Sequence, residues 1–236
     1  RGGFKVTKKK MEQWSIRIGA YAERLLNGLN KIEWSDSIKD IQKNWIGKST
    51  GFSLSFKIFK SKSEIEVYTT RPDTIFGVSF LAISPNHELV SKLTIEKYKK
   101  DVASFIKSFK LKSERDILSN INDSSGVFTG SHVIHPLTGK KIQIWIADYV
   151  LSSYGSGAVM CVPCGDERDF RFSKKYKINI INIFKNIDIS IKPHTEKKYD
   201  ALINSDFLNG LNYEEASQKI GFKFEKDNLG FKNTKY

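Results

Sequence analysis

Tyr154-Gly155-Ser156-Gly157-Ala158-Val159-Met160-Cys161-Val162-Pro163-Cys164-Gly165-Asp166-Glu167-Arg168-Asp169 is the stretch from which the fold is read outward. Gly155 and Gly157 let the backbone bend or approach another group closely. Ala158 to Val162 is a short apolar run, which reads as a buried strand. Pro163 and Gly165 end it. Asp166 then takes the place of a helix N-cap, with Asp169 at the third helical position. Three residues apart, the two carboxylates share one face of that helix. A helix N-terminus favours their ionised forms, and two anions at a fixed mouth could hold a substrate ammonium group. Asp-x-x-Asp at a helix start is also ordinary capping. Gly-Ser-Gly-Ala lacks the Gly-Lys-Ser/Thr ending of a phosphate loop.

A second stretch, Thr69-Thr70-Arg71-Pro72-Asp73-Thr74, lies upstream. Phe52, Leu54, Phe56 and Ile58 alternate with polar residues, and Ile65 to Thr69 follow the same pattern. With a short turn at Lys60 to Ser63 the two runs predict a hairpin whose second strand delivers Thr69 and Thr70 to its end. Pro72 fixes its own φ and pushes Arg71 into an extended shape. Thr69 and Thr70 read equally as plain strand residues, Arg71-Pro72-Asp73 as a plain turn, and Met160 and Val162 as plain core.

Around these stretches the pattern predicts helices at Met11 to Asn30 (with Trp14, Ile18, Tyr21, Leu25 and Leu29 on one face), His87 to Leu93, Ile95 to Leu118, Asp166 to Tyr176 and Tyr213 to Ile220, the last closed by Gly221. Trp34 to Trp45 is a connector with a short helical possibility. Strands are expected at Ile75 to Ile83, Gly126 to Ile134, Ile142 to Ile146 and Ile178 to Phe184. A turn at His135-Pro136-Leu137-Thr138-Gly139 joins two of them, Asn120 to Ser125 is a loop, and residues 1 to 10 read as a basic, polar strand end or tail. Gly47-Lys48-Ser49-Thr50-Gly51 is a turn, since no earlier glycine or strand makes it a phosphate loop. Short strands interleaved with helices indicate an α+β fold, with a small β-barrel-like curved sheet and surrounding helices.

The 236 residues carry a formal net charge of +13 and 39 % hydrophobic residues. That suffices for one substantial core, and the charge suits a polyanionic partner, nucleic acid first. Lysine enrichment alongside abundant Asn and Ile explains the charge equally simply. Cys161 and Cys164 form a lone C-x-x-C. A structural zinc site needs four ligands and no second cysteine pair exists. One cysteine falls in the strand and one in the turn, so they are expected to be buried and inert, in a reducing compartment. No apolar run is long enough for a membrane helix, and no signal peptide is visible. Without an initial Met, the chain reads as a piece of a longer protein.

At this point a family resemblance is visible. Thr69-Thr70-Arg71-Pro72-Asp73-Thr74 before an apolar strand is similar to the threonine-rich motif of aminoacyl-tRNA synthetase editing domains. Tyr154-Gly-Ser-Gly-Ala-Val-Met, Val162-Pro163 and Asp166-x-x-Asp169 resemble the second editing motif of leucyl-tRNA synthetases. Asn44-Trp45-Ile46-Gly47-Lys48-Ser49 resembles the approach to that domain, Trp14 to Leu26 its connecting helix, and His135 to Gly139 its middle hairpin. The Thr-Thr-Arg-Pro-Asp-Thr form points to the bacterial-type branch. Two departures stand out: Ser156 replaces the usual Thr, and Gly165 the usual His before the first Asp. The His-Ile-Gly-His and Lys-Met-Ser-Lys-Ser signatures of aminoacylation are missing, so tRNA charging is not expected. The resemblance implies a connecting segment over 1–46, an editing domain over 47–220 and a returning linker over 221–236.

It also implies an activity: hydrolysis of mischarged tRNA(Leu), carrying norvaline, isoleucine or a similar residue, with leucyl-tRNA spared. In this reading Asp169 binds the substrate ammonium and Asp166 supports the terminal ribose or orients the site. Thr69 and Thr70 offer hydroxyls to ester, ribose and water, and Arg71 meets the 3′-terminal phosphate or braces the loop. Thr74 narrows the pocket against leucine, Met160 and Val162 line it, and Tyr154 with its neighbours Leu151, Ser153 and Ser156 borders the adenosine. No cofactor is expected for editing; ATP and Mg would serve the absent catalytic domain. The implied partners are the CCA end of tRNA(Leu) and that catalytic domain, for a monomer in the cytoplasm or an organelle, with no membrane. Two rivals remain: a docking module for the tRNA 3′ end without hydrolysis, and a metal hydrolase using Asp166, Asp169 and one of His132, His135 or His194.

Overall fold

The computed structural model describes residues 11–111, 124–151 and 156–236. Ser153 and Tyr154, the tail over 1–10, most of the 120–125 loop and the end of the 95–118 helix lie outside the described residues. The chain divides into two compact units, Arg1–Ser49 with Lys235–Tyr236, and Thr50–Thr234.

In the first unit a 3-10 turn at Ile18–Tyr21 leads into α1 (Ala22–Gly28), and Asp36–Ile46 forms α2. The helix predicted from Met11 therefore begins seven residues later. Trp14, Ile18, Tyr21 and Leu25 are all exposed, so no burial within the unit drives the first turns, and a helix nucleus without packing is unfavourable. The supposed connector is a full helix in α2. It ends where Gly47 takes φ 68°, the left-handed cap that glycine adopts without strain.

The second unit is built on a mixed sheet of seven strands: β1 (Ser49–Ile58), β2 (Glu64–Thr69), β3 (Phe80–Ile83), β4 (Gly126–Ile134), β5 (Lys141–Ala147), β6 (Ala158–Cys161) and β7 (Gly230–Lys235). The order is β2-β1-β4-β5-β3-β6, with β7 added on β1. β3 and β5 run parallel, whereas β2–β1, β1–β4, β4–β5 and β3–β6 pair antiparallel. The sheet is open, but it curves until its ends β2 and β6 meet, where the Ser156 hydroxyl donates to the Glu66 carbonyl. The predicted hairpin is β1–β2, with Phe52 opposite Thr69 and Phe56 opposite Ile65.

Both faces of the sheet are covered. Leu81 and Ile83 join the main core with Leu54, Phe56, Ile144 and Phe224, while Phe80 and Ala82 pack on the other face against Phe172. Phe172 belongs to α5 (Glu167–Tyr176). The other helices are α3 (Val90–Leu93), α4 (Lys99–Leu111) and α6 (Tyr213–Lys226). Four expectations change. β3 starts at Phe80 rather than Ile75, because Pro72–Gly77 coils into a 3-10 helix begun by Pro72. The helix expected from His87 is only α3, as His87 serves in the turns before it, accepting from Leu89 N. Ile178 to Phe184 is not a strand; Phe184 makes an isolated bridge to Leu202. α6 runs through Gly221 to Lys226. There a Cβ would come within 2.7 Å of the Phe52 ring, so the glycine serves close packing, not termination.

Candidate functional site

A cleft of about 500 Å³ opens where the two sequence motifs meet. Its wall combines the end of β2 (Tyr68, Thr69) and the turn after it (Thr70, Arg71, Thr74) with Tyr149, Val150 and Leu151 behind β5. Val159 and Met160 from β6, Val162 just after it, and Gly165, Asp166, Arg168 and Asp169 at the mouth of α5, complete it. Of the sequence-predicted residues, Thr69, Thr70, Arg71, Thr74, Leu151, Met160, Val162, Asp166 and Asp169 are brought together here. Ser156 is not among the lining residues; its hydroxyl is bound to Glu66 O. Ser153 and Tyr154 fall outside the described residues. Tyr149, Val150, Arg168, Tyr68 and Val159 were missed by sequence reasoning. Val159 and Arg168 stand inside the opening stretch and Tyr68 beside Thr69, where the side that faces the cleft is set by the assembled fold, and Tyr149 and Val150 come from the separate segment behind β5.

The threonine motif is held by its own hydrogen bonds. Arg71 N donates to Thr69 Oγ1 at 3.0 Å, and Thr74 Oγ1 donates to Arg71 O at 2.9 Å. The Arg71 guanidinium grips the fully buried Asp73 carboxylate through Nε (3.1 Å) and Nη2 (2.9 Å). Tyr199, from a distant segment, donates its hydroxyl to the same carboxylate at 3.0 Å, and the Tyr213 ring lies 5.4 Å from the guanidinium carbon. Burial works against the Arg71 charge, but Asp73 more than offsets it, so the group stays above its ordinary pKa. Arg71 thus braces the loop while lining the cleft, and the bidentate grip fixes its plane.

Asp166 is the N-cap of α5, accepting from Arg168 N (2.8 Å) and Asp169 N (3.1 Å). Asp169 is different. It is buried, with Val162 N donating to Oδ2 at 2.8 Å and the Tyr149 hydroxyl donating to Oδ1 at 3.0 Å. The expectation that the helix mouth keeps both carboxylates readily ionised fails here. Burial first, and then the charge of Asp166, push the Asp169 carboxyl up to about 7. Loss of water around a carboxylate outweighs the helix dipole and two donors.

The cysteines separate as expected: Cys161 lies in the core under α5 and Cys164 in the main core. Both are free, and burial raises both thiols, Cys164 to about 12. His135 is committed to its turn. Its Nδ1 accepts from Leu137 N and Thr138 N, so Nε2 carries the proton and donates to Ile75 O. Among the described residues, no three His, Cys, Asp or Glu side chains are grouped to hold a metal ion. The cleft offers an anion, hydroxyls and a fixed cation around an apolar wall. This arrangement can orient an ammonium-bearing ester for attack by water.

A family model described as "Leucyl-tRNA synthetase, editing domain" matches residues 43–225. The chain belongs to that family. Leucine–tRNA ligases of Christiangramia forsetii and Flavobacterium johnsoniae are each 50 % identical to it across the whole chain. The chain spans about a quarter of their length, 24 % and 25 %. The crystal structure of the ternary complex of Agrobacterium radiobacter K84 agnB2 LeuRS, tRNA and LeuAMS is similar over 100 % of this chain and 26 % of that one. Its TM-score is 0.76 and its identity 29 %. The fold is therefore that of a leucyl-tRNA synthetase editing domain. Among the described residues, no helix of this editing domain is long and apolar enough to cross a membrane.

Proposed function

We propose that the cleft is a hydrolytic sieve for tRNA(Leu) that bears the wrong amino acid. The observation that carries this is the buried Asp169 carboxylate in one cleft wall, faced by the Thr69–Thr74 turn in the other. An apolar pocket that discriminates by one methylene gains only about 1–3 kcal/mol, so charging alone passes close analogues. A second site that rejects leucine by size and hydrolyses smaller or differently branched residues supplies the missing selectivity.

In this reading Asp169 takes the α-ammonium of the misattached amino acid, and Met160 and Val162 receive its side chain. Thr74, whose hydroxyl is tied to Arg71 O, limits the room left for leucine. Thr70 is exposed, and with Thr69 it offers oxygen atoms to the ester and the attacking water. Asp166 supports the terminal ribose, and Arg71, braced on Asp73, faces the terminal phosphate. The lining residues include no histidine or cysteine, so they provide no paired nucleophile and base. Water attacks in a preorganised site, with the vicinal ribose hydroxyl available to assist. The scheme uses no cofactor. The tRNA named in the Agrobacterium complex and the net charge of +13 both agree with a tRNA partner.

The test is deacylation of isoleucyl-tRNA(Leu) and leucyl-tRNA(Leu) by the synthetase that carries this domain. Wild type should clear the isoleucyl ester and spare the leucyl ester. Asp169→Ala should lose at least ~100-fold, the scale of losing a group that orients the reacting ester. Thr74→Ala should begin to cleave the leucyl ester. A wild type that binds tRNA yet hydrolyses neither ester would leave the non-hydrolytic docking module as the better description.

A further inference from the structure

Asp169 does not stand alone. Its two oxygens are held by different donors, Val162 N on Oδ2 and the Tyr149 hydroxyl on Oδ1. The tyrosine is itself fixed. Its ring meets Phe172 edge-on at 5.8 Å, and Phe172 stacks on Phe80 at 5.0 Å, both fully buried. The Cys161 sulfur lies 3.5 Å from the Tyr149 oxygen. The phenolic proton goes to Asp169, and the Cys161 thiol also reaches the Val159 carbonyl at 3.9 Å. Arg168 lies 5.7 Å from the ring centre.

We propose that Tyr149 is a positioning residue for editing: its hydroxyl locks the Asp169 carboxylate in the one orientation that receives the substrate ammonium. The inference rests on the reading of the cleft as an editing site. A carboxylate pinned at both oxygens cannot rotate, and a hydrogen bond to an ionised acceptor is stronger than a neutral one. The titratable and charged groups around Asp169 are Tyr149 from the segment behind β5, Cys161 from β6, Asp166 and Arg168 from its own helix mouth, and Arg71 across the cleft. Among the described side chains in that set, Tyr149 both donates to the carboxylate and lines the cleft. Burial and the Asp166 charge oppose ionisation of Asp169, and the Tyr149 hydroxyl favours it. Loss of the hydroxyl therefore moves the protonation of Asp169 to higher pH.

The experiment uses the intact synthetase and Tyr149→Phe, which keeps the ring against Phe172 and removes only the hydroxyl. Two stable probes are titrated between pH 6 and 8.5: isoleucine joined by an amide to 3′-amino-3′-deoxyadenosine, and the same compound without its α-amino group. At pH 7 the variant should bind the amine-bearing probe about tenfold more weakly, the scale of one hydrogen bond to a charged group. Its pH midpoint for that probe should lie higher than that of wild type, and the probe without the amine should bind both proteins equally. Equal weakening of both probes would reduce Tyr149 to a packing residue, and unchanged binding of both would remove it from the site. Either result overturns the inference while wild-type binding keeps the editing reading. A wild type that binds neither probe overturns the editing reading and this inference with it.

Discussion

The Asp169 carboxyl meets two opposing requirements. The proposed contact with a substrate ammonium needs it charged, and burial favours it neutral. Its pKa is raised from 3.8 to about 7, so between roughly pH 4 and 7 the folded chain holds a proton that the unfolded chain has released. Stability from this group is therefore complete at low pH and falls as pH rises through that window; by pH 8 the loss is of order 4 kcal/mol. Asp169→Asn avoids that loss. Its amide oxygen still accepts from Val162 N, and its NH₂ can donate to the Tyr149 oxygen. Urea denaturation of wild type and variant at pH 5 and pH 8 should show the variant's stability relative to wild type rise by about 2–3 kcal/mol from pH 5 to pH 8, beside a loss of editing. A gain of equal size at both pH values would mean that the buried charge is not its source. The cap formed by Asp166 was legible in the sequence because capping is local chemistry. The burial of Asp169 was not, since it depends on Tyr149 and Cys161, which reach it from other segments.

At the scale of the element, what was legible follows from how many faces are buried. β1 and β2 alternate, and their hairpin could be read from that period. β3 is buried on both faces, so its apolar run gave no period to mark its start. The 3-10 turn at Pro72–Gly77, entirely buried, was absorbed into the strand expected from Ile75. The hairpin also sets the site. Gly51 stands just before Phe52, which pairs with Thr69, and a Cβ on Gly51 would lie 2.1 Å from Thr69 O. No side chain at position 51 fits unless the end of β2 moves, and that end carries the threonine turn. Gly51→Ala should destabilise by about 1–3 kcal/mol, the usual scale of overpacking, and lower the melting temperature by roughly 2–4 °C per kcal/mol for a domain of this size. Deacylation should fall further than the small unfolded fraction explains. A fully active, undestabilised Gly51→Ala would show that the strand end yields freely and that Thr69 needs no exact placement.

At the scale of the molecule, the net charge of +13 admits two explanations that structure can separate. Lysine spread over the surface serves solubility and touches no ligand in particular. Basic groups gathered beside the cleft would instead meet phosphates. Arg168 lines the cleft. Lys197 lies 5.6 Å from the Tyr213 ring that also carries the Arg71 guanidinium, and Lys198 is its neighbour in the groove beside Tyr213. Arg168 thus shares the cleft with Arg71, the group assigned to the terminal phosphate, and Lys197 and Lys198 line the groove that includes Tyr213, on whose ring Arg71 rests. A protein that neutralises phosphates of a single strand shows a log–log salt dependence of binding with a slope of about −0.7 per contact. In the intact synthetase, the affinity for mischarged tRNA(Leu) should fall with salt. Joint replacement of Arg168, Lys197 and Lys198 by Gln should make that slope shallower by about 2. The rate on saturating tRNA should change little, because uniform binding enters KM and not the chemical step. Measuring KM for isoleucyl-tRNA(Leu) from 50 to 200 mM salt for both proteins decides the matter. A shallower slope assigns these cations to the tRNA backbone, and an unchanged slope leaves their charge to solubility.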